Sequence, residues 1–507
     1  VAIPVAGQRF KPDDPVWKDH DDRLPVNDLK SYEASETYDF ALHSFLRKRE
    51  KEPRPAANVN TLGEVPDSAW FTNRHGRRRM SLEELTRGPD TGVGPAEGQW
   101  TVTQGKNEGV TPGFRIRDAK GVTYVVKFDP PANQEMASAA EVISTKFFHA
   151  MGYNVPENYL AFFSRSRLKV GERAQFTDPF GKERPMTEKD LDTILQRLGQ
   201  TSGTYRALAS RFVPGRPIGP FLFFGTRPDD PNDVFPHQDR RELRGLWVLA
   251  AWLNHNDTKS GNSLDTVIEE GGRRFLRHYL IDFGATLGSA SIGPQAVRVG
   301  NEYLWEPKTG FARIFTFGLW DHGWILSRYP DFPSIGRFES QRFEAEKWRP
   351  LFPNPAFREC LAEDAYWAAK LVMAFTDDDI RVIVKTGRLS DRAAEEYLVR
   401  TLIERRDKIG RYWLTRVPSV DNFRVTANGL ELDHLASRYG FAPQPAAQRV
   451  EWFRYDNATG QETPAAGPDP AWTVAHVYDG EKKVKVYLRG REVVGVDRDP
   501  PRQPVAP

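Results

Sequence analysis

Apolar and polar positions change rhythm along the 507-residue chain, and each change marks an element or a boundary. From Trp100 the alternation has a period of two. WTVTQ, GFRIRD and VTYVVKFD read as strands, with Asp118 to Gly121 as a hairpin turn. After Pro130-Pro131 the step lengthens and a helix is predicted over Gln134 to Met151; Gly152 stops it, and a short loop with Pro156 leads into another strand. Residues 165–203 form a charged insertion with a helix over Thr187 to Leu198, read as surface decoration, and Tyr205 to Val213 is the next strand. Leu243, Leu246, Trp247, Ala250 and Leu253 recur at three and four, which predicts a helix over His237 to Leu253. The aromatic, Gly-rich stretch from Gly284 to Pro355 has no clear period. Helices are predicted again over Phe357 to Phe375, Thr376 to Lys385 and Asp391 to Trp413.

At both ends the pattern differs. Residues 1–98 are irregular and rich in Pro, Asp and Arg, with one helical stretch from Asp28 to Glu52, and are expected to wrap the domain that begins at Trp100. Within them Asn73 to Arg79 is a basic run leading into Ser81-Leu82-Glu83-Glu84. An anion-binding patch or a phosphorylation site at Ser81 would fit it. A capping box made by Ser81 and Glu84 beside solvated arginines fits better. From about Pro418 alternating runs return, broken by Asp479-Gly480 and Arg489-Gly490, and predict a small β module with a Pro-rich tail. Its Trp452 and Trp472 are expected inside the packing rather than in a ligand cage. The expected divisions are 1–98, 99–215, 216–417 and 418–507.

Composition changes this picture mainly by exclusion. Lys plus Arg is 71 against 69 for Asp plus Glu, so a net charge of +2 gives no general pull toward nucleic acid or anionic membrane. The single cysteine, Cys360, excludes an internal disulfide and a cysteine-cluster metal site, and reads as a packed small side chain. No apolar run approaches the roughly twenty residues of a membrane-spanning helix. The chain starts Val-Ala-Ile-Pro without Met, which suits removal of an export signal or a trimmed sequence, and favours an exported bacterial protein, periplasmic or extracellular. There is no His-Glu-x-x-His, no Gly-x-Ser-x-Gly and no Walker Gly-Lys-Ser/Thr loop.

The chemistry-bearing stretch is His255 to Asn262, HNDTKSGN, followed by Ile281-Asp282-Phe283-Gly284. Transfer of a terminal phosphoryl group passes through a loose transition state, so a protein mainly orients the attacking hydroxyl and neutralises spread negative charge. Asp257 suits the first task and the Lys259 ammonium the second. Magnesium takes hard oxygen ligands, which the Asn262 amide and the Asp282 carboxylate supply, and Gly284 frees the backbone after the second of them. Asp257 and Asn262 as plain turn formers would account for the loop, but not for the downstream Asp-Phe-Gly.

HNDTKSGN resembles the catalytic loop of the protein kinase superfamily, His-x-Asp-x-Lys-x-x-Asn, and LIDFGATLG is similar to its metal-binding segment. The wording is closer to atypical members, the phosphoinositide kinases and bacterial persistence-toxin kinases. The resemblance implies an α+β, bilobal kinase-like fold, here with an irregular N-terminal extension and a C-terminal all-β module. It implies ATP and Mg2+ as cofactors. Lys127, at the end of VVK, resembles the strand lysine that contacts the inner phosphates; in an apolar strand it needs a partner. Its partner would be Glu141 or Glu135, which lie on different faces of one helix; mid-helix Glu141 is preferred. Gly105 and Gly109 sit where a phosphate-covering loop would lie, and Pro214 to Pro217 where the lobes would hinge. Two departures matter. Asn256 replaces the arginine that grips an activation-loop phosphate, and no Ala-Pro-Glu follows, so an ordinary peptide platform is not implied. The expected activity is ATP- and magnesium-dependent phosphoryl transfer to a protein, lipid or small molecule. The alternative is a kinase-shaped envelope scaffold without turnover, acting through its β module.

Overall fold

The alternation that begins at Trp100 builds a seven-stranded sheet. The computed structural model describes the chain except residues 1–7, 28, 34, 47–53, 107–112, 178–181, 201–202, 291, 306–322, 428, 446, 500–503 and 507. In chain order the strands are β1 (Trp100–Lys106), β2 (Gly113–Arg117), β3 (Thr123–Lys127), β4 (Asn158–Phe163), β5 (Leu168–Thr177), β6 (Glu183–Pro185) and β7 (Tyr205–Arg211), in the spatial order β4-β7-β3-β2-β1-β5-β6. Phe114, Ile116, Tyr124 and Val126 point to one buried face, as period two requires. The charged insertion is not decoration. Its first half is β5, which pairs parallel to β1 from Trp100↔Leu168 to Lys106↔Thr177. Leu168, Ala174 and Phe176 enter the same core as Leu191, Ile194 and Leu195 of the helix Glu188–Gln196. The charges of β5, Lys169, Glu172 and Arg173, interrupt the alternation between Leu168 and Ala174 and hid its inward face.

Helices in chain order are α1 (Glu36–Ala41), α2 (Leu82–Arg87), α3 (Met136–Met151), α4 (Glu188–Gln196), α5 (Arg241–Leu253), α6 (Pro355–Arg358), α7 (Ala362–Met373), α8 (Asp377–Lys385), α9 (Arg392–Trp413) and α10 (Leu435–Arg438). With helix and strand in near-equal shares, about 26% and 27%, the fold is mixed α and β. All of α5 is buried, including Arg241 and Arg244, whose guanidiniums pair with Asp364 of α7. The predicted helix over Phe357 to Phe375 is broken between α6 and α7. There the Cys360 carbonyl accepts a hydrogen bond from Val505 N, and Leu361 bridges to Pro504, so the tail of the chain takes over that backbone. Cys360 itself is fully buried. The long helix expected over Asp28 to Glu52 is α1 followed by a π-helical turn, Leu42–Leu46; residues 47–53 lie outside the described ones. No helix among the described residues is long and apolar enough to cross a membrane.

A second sheet, β10-β9-β8, comprises β8 (Arg216–Gly219), β9 (Ser263–Glu270) and β10 (Arg273–Leu280). Residues 216 and 217, read from sequence as hinge, are the start of β8 and pair with Val267 and Thr266. The hairpin β9–β10 turns at Gly271 and Gly272, both with positive φ (58° and 73°), the conformation glycine takes at no steric cost. Small two-stranded pairs come next, β11 (Ser289–Ala290) with β12 (Gly293–Pro294) and β13 (Val420–Thr426) with β14 (Gly429–His434). The last sheet has the order β16-β15-β17-β18-β19, with β15 (Arg449–Tyr455), β16 (Glu462–Ala465), β17 (Trp472–Asp479), β18 (Lys482–Arg489) and β19 (Glu492–Arg498).

The N-terminal residues contact the second sheet and the last one. Val26 N donates to Arg274 O of β10 and Tyr32 N to Ile218 O of β8. Phe10 reaches the last sheet and packs among Tyr455, Trp472 and Tyr487, with the Trp472 ring stacked 5.8 Å away. Trp472 thus lies half-buried against this cluster, and Trp452 half-buried against the other face of that sheet. The capping box of Ser81 and Glu84 is present in full. Each arginine of the basic run has its own intramolecular partner. Arg74 donates to the His149 and Tyr153 carbonyls, Arg77 stacks on Trp17 at 3.5 Å, Arg78 pairs with Glu84 and Arg79 with Asp379.

Candidate active site

Helix α3 and strand β3 set the first half of the site. Lys127 ends β3, and its ammonium lies 3.3 Å from Glu141 Oε1 and 3.0 Å from Asp282 Oδ1. Glu135 does not compete: it is the N-terminal cap of α3 with φ 74°, and its carboxylate accepts from Ser390 N and Oγ. Two carboxylates therefore share one ammonium. Burial pulls the Lys127 ammonium down, but Glu141 and then Asp282 outweigh it and hold the group above the ordinary lysine range. Burial pushes Glu141 up to about 7, and the neighbouring Asp282 adds to that against the pull of Lys127. Asp282, with a half-exposed side chain, is held below the usual carboxylate range, first by Lys127. Of the two carboxylates, the enclosed Glu141 is therefore the more readily protonated, while Asp282 and Lys127 favour their charged forms.

The backbone here is strained at Asp282, not at the glycine after it. Asp282 has φ 62°, in the left-handed region that non-glycine residues seldom adopt. Gly284 serves space instead of freedom. A Cβ placed on it would stand 3.2 Å from Glu141 Oε2 and 3.6 Å from Asp282 Oδ1, so a side chain would press on the shared carboxylates.

The loop after α5 supplies the second half. Asn254 ends the helix with φ 50°, and the 3₁₀ turn Ser260–Asn262 leads directly into β9. Asn262 Nδ2 donates to both the backbone oxygen and Oδ2 of Asp257, at 2.8 Å each, which leaves its amide oxygen for another partner. Lys259 Nζ lies 3.3 Å from Asp257 Oδ1. The Asn262 carbonyl accepts from Ile281 N at 3.0 Å, and Ile281 precedes Asp282. The two sequence-distant segments are therefore joined at the backbone.

An aromatic group underlies the join. Phe283 stacks on Phe148 of α3 (4.9 Å between centroids, 24°), and His255 packs on both rings at 5.5 and 5.6 Å. Burial lowers the His255 imidazole to about 4, so it packs as a neutral ring. Thr286 Oγ1 and Ser144 Oγ share a hydrogen bond of 2.7 Å, which pins the segment after Gly284 to α3 as well. Phe148 escaped the sequence reading. Its signal was there: it lies seven residues after Glu141, hence on the same face of the helix.

The structure brings Lys127, Glu141 and Asp282 into direct contact and joins Asp257, Lys259 and Asn262 in one hydrogen-bonded loop. Gly105 lies within β1, paired with Phe114, and a Cβ there would meet Met186 Cε at 2.7 Å. Gly109 lies outside the described residues. Among the described residues no cluster of three or more His, Cys, Asp or Glu side chains could hold a metal ion unaided.

No protein-family model matches the chain, and no curated protein matches it. Among solved structures it is similar to a proinflammatory kinase, CtkA, of Helicobacter pylori, over 63% of this chain and 92% of that one, with 15% identity and a TM-score of 0.30.

Proposed function

We propose that the chain is an ATP- and magnesium-dependent phosphotransferase of the atypical kinase type, with a bilobal arrangement in which the seven-stranded sheet and α3 form the small lobe and the helices around α5 the large one. The observation that carries this is the Lys127 ammonium held between Glu141 and Asp282, with Asp282 tied through Ile281 to the loop of Asp257 and Asn262. Lys127 would meet the inner phosphates of the nucleotide. Asn262 and Asp282 fit a magnesium ion that takes its remaining ligands from phosphate and water, the mode in which this cation usually binds. Bound there, it would neutralise charge on the phosphates. Asp257 orients the acceptor hydroxyl and receives its proton, while Lys259 stabilises charge on the moving phosphoryl group. The acceptor class remains protein, lipid or small molecule.

The test is direct. Mg2+ with ATP or ADP should raise the melting temperature, and ADP release should fall to background in Asp282→Ala. No shift, together with equal ADP release from both proteins, would leave a kinase-shaped scaffold as the better account. A second expectation concerns crowding at Gly284. Gly284→Ala should weaken Mg-ADP about tenfold, because the added methyl displaces the Glu141 carboxylate, while the melting temperature moves little. Calorimetric titration measures it; unchanged affinity would mean that the carboxylate yields without consequence.

A further inference from the structure

Beyond Gly284 the chain doubles back. Leu287 (φ 50°) and Gly288 (φ 76°) turn it, and the β11–β12 pair delivers Gln295 beneath the segment that carries Asp282. Gln295 is buried, as are Asn254 and Trp348. Its Oε1 accepts from Asn254 Nδ2 at 2.9 Å, and its Nε2 donates to the carbonyls of Ser289 (2.8 Å) and Ala285 (3.3 Å). Asn254 is held from its other side, where Trp348 Nε1 donates to Oδ1 at 2.8 Å. The Gln295 backbone is fixed too, N to Gly288 O and O from Arg337 Nη1.

One buried amide therefore ties together two backbone segments with different tasks. Asn254 is the last residue before the loop of Asp257 and Asn262, and Ala285 is the first after Asp-Phe-Gly. A cation shared by Asn262 and Asp282 requires that these segments keep a fixed separation. Ile281 N to Asn262 O sets it at one end, and Leu287 N to Leu253 O, at 2.8 Å, crosses at the other. Gln295 spans the gap between them, alongside His255, whose imidazole also bonds the Ala285 backbone.

We infer that Gln295 is a positioning residue: through Asn254 and Ala285 it fixes the distance between the two metal-ligating segments, and so sets the affinity for the divalent cation. This rests on the phosphotransferase reading of the site. Removing a direct outer partner of metal ligands commonly weakens a metal by about 10–100-fold; Gln295 acts one step further out, through Asn254 and Ala285, so its effect belongs at the low end of that range. A merely structural amide would lower stability without moving metal affinity.

The experiment uses Mn2+ as a paramagnetic stand-in for magnesium, titrated by electron paramagnetic resonance in the presence of ADP, with metal-free adenosine binding as the control. Gln295→Met should raise the Mn2+ midpoint about tenfold and leave adenosine binding unchanged. Asn254→Ala should do the same, and the double variant should be no worse than either, because both cut one tie. Gln295→Glu guards against a misfolded methionine variant. Protonated, the buried carboxyl donates to a carbonyl as the amide does; ionised, it repels both carbonyls. Its Mn2+ midpoint should approach that of the unaltered chain at acidic pH and separate from it as pH rises. Unshifted midpoints in folded Gln295→Met and Gln295→Glu, with the unaltered chain binding Mn2+ and ADP, would overturn the inference alone. An unaltered chain that binds neither would overturn the phosphotransferase reading, and the inference with it.

Discussion

Lys127→Met is expected to cost about 2–3 kcal/mol of stability at pH 8 and to abolish nucleotide binding. The ammonium lies between two carboxylates, one of them enclosed, and taking it away leaves Glu141 and Asp282 facing each other. Breaking a fully buried pair costs about 3–5 kcal/mol; the half-exposed Asp282 and partly exposed Lys127 place this case lower. The loss depends on pH in a stated direction. Glu141 titrates at about 7, above its ordinary 4.5, so between those values the folded chain holds a proton that the unfolded chain has released. Its contribution to stability is complete below the unfolded value and is lost as pH rises through 7. Without the ammonium its titration moves higher still. Denaturation of Lys127→Met should therefore ease more steeply than that of the unaltered chain from pH 6 to about 9, and Glu141→Gln should flatten the dependence in both. Parallel curves for Lys127→Met and the unaltered chain would show that the three groups do not share charge.

Asp257→Asn should reduce kcat by about 10²–10⁴-fold and leave the affinity for Mg-ADP within about twofold. Asp257 touches the loop through Asn262 Nδ2 and Lys259, not through Lys127, so its loss should fall on the reacting hydroxyl instead of the nucleotide. An asparagine keeps the shape and an acceptor oxygen for Asn262, which holds the stability cost to about 1 kcal/mol. Single-turnover kinetics with labelled ATP separates the two quantities. A proportional fall in ADP affinity would reassign Asp257 to the binding of metal or phosphate.

Much of the arrangement was legible because local chemistry carries it. Lys127 stands out as a cation in an apolar strand, and the mid-helix position of Glu141 favours it over Glu135. Glu135 was excluded by its backbone: at φ 74° it caps α3, a role a residue pattern does not show. Asp257, Asn262 and Asp282 were legible as spacing alone. Their closure depends on Ile281 N and Asn262 O, backbone atoms without a sequence signature. Strand β5 was missed because Lys169, Glu172 and Arg173 break up its inward Leu168, Ala174 and Phe176, and because its partner β1 is parallel and distant in sequence. The break at Cys360 was unreadable for a related reason: the bond that makes it comes from Val505.

The position of Phe10 carries a consequence for biosynthesis. A ring at residue 10 completes a core whose other walls, Tyr455, Trp472 and Tyr487, are synthesised long after it. Such sequence-distant contacts form slowly, since the loop they close must first be drawn together. Until those residues have left the ribosome, the Phe10 ring has no seat and stays open to chaperones or to wrong partners.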